Sequence, residues 1–143
     1  MKLRQISIFL ENRAGRMAEV TEILGKAGVN IRAIALADTA DFGIIRLIVD
    51  NTEEALKVLK EHNITVKETE VVAVEIPDHP GALADVLKTL GDADINVEYL
   101  YGFLEHSGDK AIMVFRFEQV DRALQELTGK GYQILPGERV HTM

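Results

Sequence analysis

The sequence of 143 residues contains no cysteine. That excludes a disulfide framework, a thiol nucleophile and a cysteine-based metal site. Its four histidines are spread along the chain, so a metal centre is not expected either. Basic residues are the minority: 16 Lys and Arg against 23 Asp and Glu leave a formal charge of −7. A nucleic-acid partner would reward the opposite balance. The longest uncharged run, Gly131 to Gly137, is far short of the roughly 20 apolar residues that span a membrane. Lys2 and Arg4 lead into an amphipathic strand pattern, not the apolar core of a signal peptide, so a cytoplasmic location is expected. No Ser/His/Asp set and no phosphate loop is visible. Glu53-Glu54 and Asp38 with Asp41 fall at a helix start and in a hairpin, ordinary solvated positions for acids. The expectation is a protein with no catalytic residues, no metal and no cofactor.

What the chain does have is an internal repeat. Ile6-Ser7-Ile8-Phe9-Leu10, then Glu11-Asn12-Arg13-Ala14-Gly15, is echoed by Val72-Ala73-Val74-Glu75-Ile76, then Pro77-Asp78-His79-Pro80-Gly81. The two glycines are 66 residues apart. Gly15, Ala18, Val20, Leu24, Gly25, Ala27 and Asn30 recur in the same spacing as Gly81, Ala84, Val86, Leu90, Gly91, Ala93 and Asn96. A period near half the length predicts two small domains, 1–70 and 71–143, with no Gly/Pro/Ser-rich linker between them. Units of that size bury little core alone and need cover from each other or from a second chain.

Within the first repeat, Leu3 to Leu10 alternates as a strand with Ile6, Ile8 and Leu10 on one face. Met17, Val20, Ile23, Leu24 and Ala27 then follow helical spacing, and Gly28 is a stop. Ile31–Ala37 and Gly43–Val49 are strands turned by Asp38-Thr39-Ala40-Asp41. Thr52 is positioned to cap a second helix striped by Ala55, Leu56 and Leu59, and Asn63 can take a left-handed turn after it. Ile64–Val71 is extended. The second repeat predicts strands at Val71–Ile76, Val97–Leu104, Lys110–Phe117 and Tyr132–Leu135, with helical stripes Leu83 to Ala93 and Ala123 to Leu127. After its hairpin the offset becomes 68, so this hairpin is two residues longer and Gly131 replaces Asn63. Each half reads βαββαβ. The fold class is α+β: two ferredoxin-like units, antiparallel sheets with helices on one face. The other face must stay solvated or be covered. Tyr99, Tyr101 and Phe103 alternate on one strand face and read as core or interface filling rather than as a base-stacking platform.

A strand that turns through glycine into a helix presents free backbone N–H groups, which suit a carboxylate. On that loop, Glu11-Asn12-Arg13-Ala14-Gly15 followed fifteen residues after Gly15 by Asn30-Ile31, the sequence resembles the ACT domain. Asp78-His79-Pro80-Gly81 and Ile95-Asn96-Val97 give the second copy of the pattern. The first repeat is similar to the serine-binding regulatory domain of phosphoglycerate dehydrogenase and to the regulatory subunit of acetolactate synthase. The resemblance covers both repeats and implies a stand-alone tandem protein. It implies an amino-acid ligand held across a domain interface by an Asn in the first loop and the Asn after the first helix. These match Asn12 and Asn30, with Asp78 and Asn96 in the second repeat. A His that contributes in the serine-binding relatives falls on Leu10 and Ile76 here, and the usual Pro of the motif is Ala14 in the first repeat and Pro80 in the second.

The expected site is therefore Leu10, Glu11, Asn12, Arg13, Ala14, Gly15, Arg16, Met17 and Asn30, with Asp78, His79, Pro80, Gly81 and Asn96 as its counterpart. The ligand carboxylate would take N–H groups from Ala14 to Met17, and Leu10 and Met17 would favour a mainly apolar amino acid. The expected function is a non-catalytic sensor that binds a free amino acid and controls its own assembly, as a homodimer or larger, or an amino-acid biosynthetic enzyme. A constitutive subunit of such an enzyme is the alternative. Neither nucleic acid nor membrane is an expected partner.

Overall fold

A computed structural model of the chain describes residues 2–38 and 41–142. These fold as two compact units, one built on Arg4–Thr69 and the other on Glu70–Val140. Leu3 belongs with the second unit and His141 with the first. In chain order the first unit holds β1 (Leu3–Glu11), α1 (Arg16–Lys26), β2 (Ile31–Asp38), β3 (Phe42–Val49), α2 (Thr52–Glu61) and the start of β4 (Thr65–Pro77). The second holds the rest of β4, then α3 (Ala82–Asp92), β5 (Val97–Gly102), β6 (Lys110–Phe117), α4 (Val120–Gly129) and β7 (Gln133–Leu135). A last turn of helix, α5, covers Gly137–Thr142. The strand order is β2-β3-β1-β4 in the first unit and β5-β6-β4-β7 in the second. Both are ferredoxin-like α+β units with antiparallel sheets, as the βαββαβ reading predicts.

Alternation places the core. In β1, Ile6, Ile8 and Leu10 are buried, as are Ile45, Leu47 and Val49 of β3. They meet Val20, Leu24, Ala55 and Leu59 from the inner faces of α1 and α2 in one cluster. A fully buried Leu or Ile contributes about 1.5–3 kcal/mol over an exposed one, so this face holds the unit together. Val72, Val74 and Ile76 do the same in the second unit with Val86, Leu90, Phe115, Phe117 and Leu127. The Phe115 and Phe117 rings stack 5.4 Å apart. On the opposite face of the first sheet Gln5 and Ser7 are buried, and the Gln5 amide donates to Ser7 Oγ at 3.2 Å. Phe9 and Phe42, by contrast, are 40% and 60% exposed. Tyr101 of β5 is buried, in keeping with a filling role for that aromatic.

The repeat extends to backbone irregularities. Gly15 and Gly81 both take φ near +89°. Gly28 and Asp94 share a left-handed position, as do Asn63 and Gly131. The register shift between Ile31 and Ala33 in the first unit recurs between Val97 and Tyr99 in the second.

Some expected boundaries differ. Ile64–Val71 and Val71–Ile76 are not two strands: β4 runs unbroken, largely exposed at its start and buried at Val71 to Val74 and Ile76. Thr52 is not the cap of α2. Asn51 is, its Oδ1 accepting from the Glu54 amide at 3.2 Å, and Thr52 is buried as the first helical residue. Asn ranks above Thr as an N-cap residue. β5 stops at Gly102, though the Phe103 amide still donates to the Ile112 carbonyl at 2.9 Å. β7 begins at Gln133, and α5 lies past the last expected element. The expected turn Asp38-Thr39-Ala40-Asp41 includes Thr39 and Ala40, which lie outside the described residues.

Arg4 ties three elements of the first unit. Its guanidinium meets Glu53 of α2 at 2.6 Å and also bonds Glu68 of β4. The hydrogen bond from Arg4 holds the Glu68 carboxyl below its ordinary value near 4.5. A depressed carboxylate contributes stability above its unfolded pKa and loses it as pH falls through the folded one. Both side chains are about 40% exposed, so solvent screens the pair. Arg4→Met is expected to lower stability at pH 7 by at most about 1 kcal/mol. The gap to the unsubstituted chain should shrink as pH drops below 4.5. Urea unfolding between pH 7 and pH 3 checks this, and a gap that does not change with pH would remove the ion pair as its cause.

Candidate functional site

The candidate site lies where β1 hands over to α1. Gly15 stands just before the helix with φ 89° and ψ −16°. An L-residue pays roughly 1–2 kcal/mol for this conformation, which glycine adopts freely. The turn is closed by the Glu19 amide donating to the Gly15 carbonyl at 3.0 Å. Gly81 repeats it, with the Asp85 amide on the Gly81 carbonyl at the same 3.0 Å. The Asn12 amide is tied across the sheet to the Asp41 carbonyl at 2.9 Å, which anchors the loop to the start of β3.

The turn leaves several helix-start amides outside the helix ladder. Among the described residues, no backbone carbonyl accepts from the amides of Ala14, Gly15, Met17 and Ala18. The expected run from Ala14 to Met17 needs one correction. The Arg16 amide is partly engaged by the Arg13 carbonyl at 3.4 Å, because the turn brings that carbonyl under the helix start. The macrodipole of α1 adds partial positive charge at this end.

Residues of this turn line a cavity of about 230 Å³. Leu10, Glu11, Asn12, Arg13, Ala14, Gly15, Arg16 and Met17 line it, so eight expected site residues are brought together. Leu36 of β2 and Gly43 of β3 complete the wall. Sequence reasoning missed these two because they arrive across the sheet. The register was the available signal, since Gly43 lies opposite Leu10. The volume is below the roughly 300–1,000 Å³ typical of drug-sized sites, which limits an occupant to a small molecule. The rim is polar and largely paired. Arg13 Nε donates to Glu11 Oε2 at 3.1 Å, and Arg16 Nη1 donates to Glu19 Oε2 at 2.7 Å. The Arg16 side chain is only 17% exposed.

Asn30 is not brought to this cavity. It precedes β2 at the other end of α1, whose 11 residues span on the order of 16 Å at 1.5 Å per residue. Asp50 holds its backbone: Asn30 N–H donates to Asp50 Oδ1 at 2.9 Å, and Asp50 N–H donates to the Asn30 carbonyl at 3.0 Å. Asn30 is exposed.

The second loop has the same backbone and different chemistry. Arg13 and Arg16 are replaced by His79 and Ala82, and Asn12 by Asp78. Asp78 is engaged by His106 Nε2 at 3.4 Å, and His79 Nδ1–H donates to the Pro80 carbonyl at 3.1 Å. Asn96, like Asn30, precedes the strand after the helix and is exposed. A larger hollow of about 480 Å³ lies between α3 and α4, away from both loops. Its charges alternate, with Asp85, Asp92 and Glu126 against Lys88, Arg122 and Lys130, and converge on no point. Volume alone does not make it the site. Among the described residues no group of three or more His, Asp or Glu could hold a metal ion, and no helix is long and apolar enough to cross a membrane.

Two ferredoxin-like units, each with a left-handed glycine between its first strand and first helix, define a tandem of small repeated modules. The chain belongs to the ACT domain pair family, whose sequence model matches residues 1–143. This is a regulatory class of domain. A search of curated proteins finds no match. Among solved structures the chain is similar to a protein from Bacteroides thetaiotaomicron, with 38% identity, a TM-score of 0.93, and coverage of 100% of this chain and 98% of that one. It is also similar to the ligand-free regulatory subunit of aspartate kinase from Thermus thermophilus, with 18% identity, a TM-score of 0.64 and coverage of 90% and 92%. The corresponding subunit from Thermus flavus follows at 16% identity, a TM-score of 0.61 and coverage of 88% and 90%. At these two identities the likeness is one of fold.

A Cβ added to Gly15 meets nothing within 4 Å, so any cost of substitution is conformational. Gly15→Ala is expected to destabilise the chain by about 1–2 kcal/mol. Gly25, inside α1 and also in open space, is the control: Gly25→Ala should stabilise by up to about 1 kcal/mol. Denaturant titration of both variants distinguishes them, and equal effects would show that the left-handed turn is not the constraint.

Proposed function

We propose that the chain is a non-catalytic sensor of a free, mainly apolar amino acid, bound at the first loop. The observation that carries this reading is a small cavity lined by Leu10, Met17 and Leu36 together with Ala14 and Gly15 at the start of α1, whose amides no described backbone carbonyl engages. Helix-start amides offer an anion several donors in a fixed geometry, and the apolar wall suits an uncharged side chain. Asn12 can offer its amide oxygen to an ammonium group and its amide nitrogen to a carboxylate. The separation of Asn12 from Asn30 within one unit fits a site completed by a second copy of the chain. In a two-fold dimer each loop would receive the partner's Asn30, giving two equivalent sites. Binding would then strengthen the dimer by mass action, which couples ligand level to assembly or to a partner enzyme in the cytoplasm.

The domains are assigned as 1–70 and 71–143, with the first loop as the principal site. Loss of two arginines, gain of an acid at Asp78 and its pairing with His106 make the second loop a poorer carboxylate site, so Pro80, Gly81 and Asn96 would serve a weaker ligand or none.

A thermal-shift screen of the twenty amino acids followed by calorimetry tests the reading. The best ligand is expected to bind once per chain. Asn12→Ala and Asn30→Ala should each weaken it by on the order of 1–3 kcal/mol, the cost of leaving a buried charged group short of a partner. Ligand-free melting should barely move, since both residues are exposed. If both variants bind like the unsubstituted chain, the site lies elsewhere.

A further inference from the structure

We infer that Leu36, laid across Gly43 at the mouth of the first-loop cavity, sets the largest ligand side chain the site accepts; the inference rests on the amino-acid reading above. Gly43 is buried and lies opposite Leu10 in the sheet. Leu36 pairs with Ile45, the residue two along from Gly43 on the same face, so the two are diagonal neighbours. A Cβ built on Gly43 would stand 3.3 Å from Leu36 Cδ1, inside ordinary contact distance. Leu36 therefore occupies space that a side chain at position 43 would otherwise take.

Leu36 is also 53% exposed while lining the cavity. A large apolar residue half in water, with one side turned to a small cavity, is poorly satisfied until something apolar covers it. A ligand side chain entering between Leu10 and Met17 would supply that cover and would stop against it. The other walls cannot yield as easily: Leu10 is buried in the core, and Met17 packs against the same cluster.

The second repeat lacks this arrangement. Its sheet register sets Gly102 opposite Met113 and Ala111 opposite Ile76. Those are the positions of Leu36 and Gly43, so the leucine has become glycine and the glycine beneath it alanine. The wall and the space that admits it differ together, which fits a paired role in the first unit and none in the second.

Calorimetry on the full-length chain with glycine, alanine, valine, leucine and phenylalanine tests the inference. Leu36→Ala should raise the affinity ratio of leucine to alanine by on the order of tenfold, the scale of discrimination an apolar pocket achieves per methylene or two. Gly43→Ala, which presses Leu36 toward the cavity, should move the ratio the other way. Near-ultraviolet circular dichroism and melting without ligand establish that each variant is folded. An unsubstituted chain that binds none of the five overturns the site reading and this one with it. Binding by the unsubstituted chain, with the ratio unchanged in both folded variants, overturns the role of Leu36 alone.

Discussion

The positive φ of Gly15 is the constraint on which the first unit's chemistry depends. It reverses the chain within a few residues, so α1 lies back over the apolar face of β1. The same turn keeps the first amides of α1 out of the helix ladder. The packing of α1 and the shape of the proposed site thus rest on one backbone torsion. A residue with a Cβ there would strain the packing of α1 and the geometry of its helix-start amides together. Neighbouring side chains are consistent with that economy: the Asn12 amide is pinned to Asp41, and the arginines of the rim are engaged by Glu11 and Glu19.

The two repeats separate what the backbone requires from what chemistry requires. Left-handed residues recur at three matched pairs of positions, yet Gly28 is answered by Asp94 and Asn63 by Gly131. Conformation has been kept while identity drifted among the residues that tolerate it. The loop side chains follow another pattern, since Arg13, Arg16 and Asn12 become His79, Ala82 and Asp78 on an unchanged turn. The shared part belongs to folding, and the divergent part to what each loop can hold.

Much of the fold was legible because alternation and helical spacing report burial directly. Ile6, Ile8 and Leu10 mark the inner face of β1, and the glycine turn marks the loop. The misses have local physical causes. Thr52 and Asn51 are both competent caps, and only the actual chain path decides between them. The single strand β4 looked like two because its composition changes at Val71, where exposed residues give way to buried ones without a break in the ladder. At the site, residues contiguous in sequence were readable and Leu36 and Gly43 were not. Their contribution depends on strand register, which a periodic pattern leaves open until pairing is known. The distance from Asn12 to Asn30 was likewise invisible, because it is set by the length of α1 lying between them.

β4 also determines where this chain can change length. It crosses from one repeat to the next with hydrogen-bonded neighbours along its course and no slack segment at the join. One extra residue near Glu70 would move Ala73 and Glu75 onto the face now held by Val72, Val74 and Ile76, since side chains alternate strictly along a strand. An insertion or deletion of one residue at the seam of the duplication would therefore turn the second unit's core face outward, however exposed Thr65 to Glu70 are in part. The hairpins carry no such phase, and there the copies do differ in length, by two residues between β5 and β6 relative to β2 and β3. In the history of such a chain, length variation should collect at hairpin tips and leave the junction untouched.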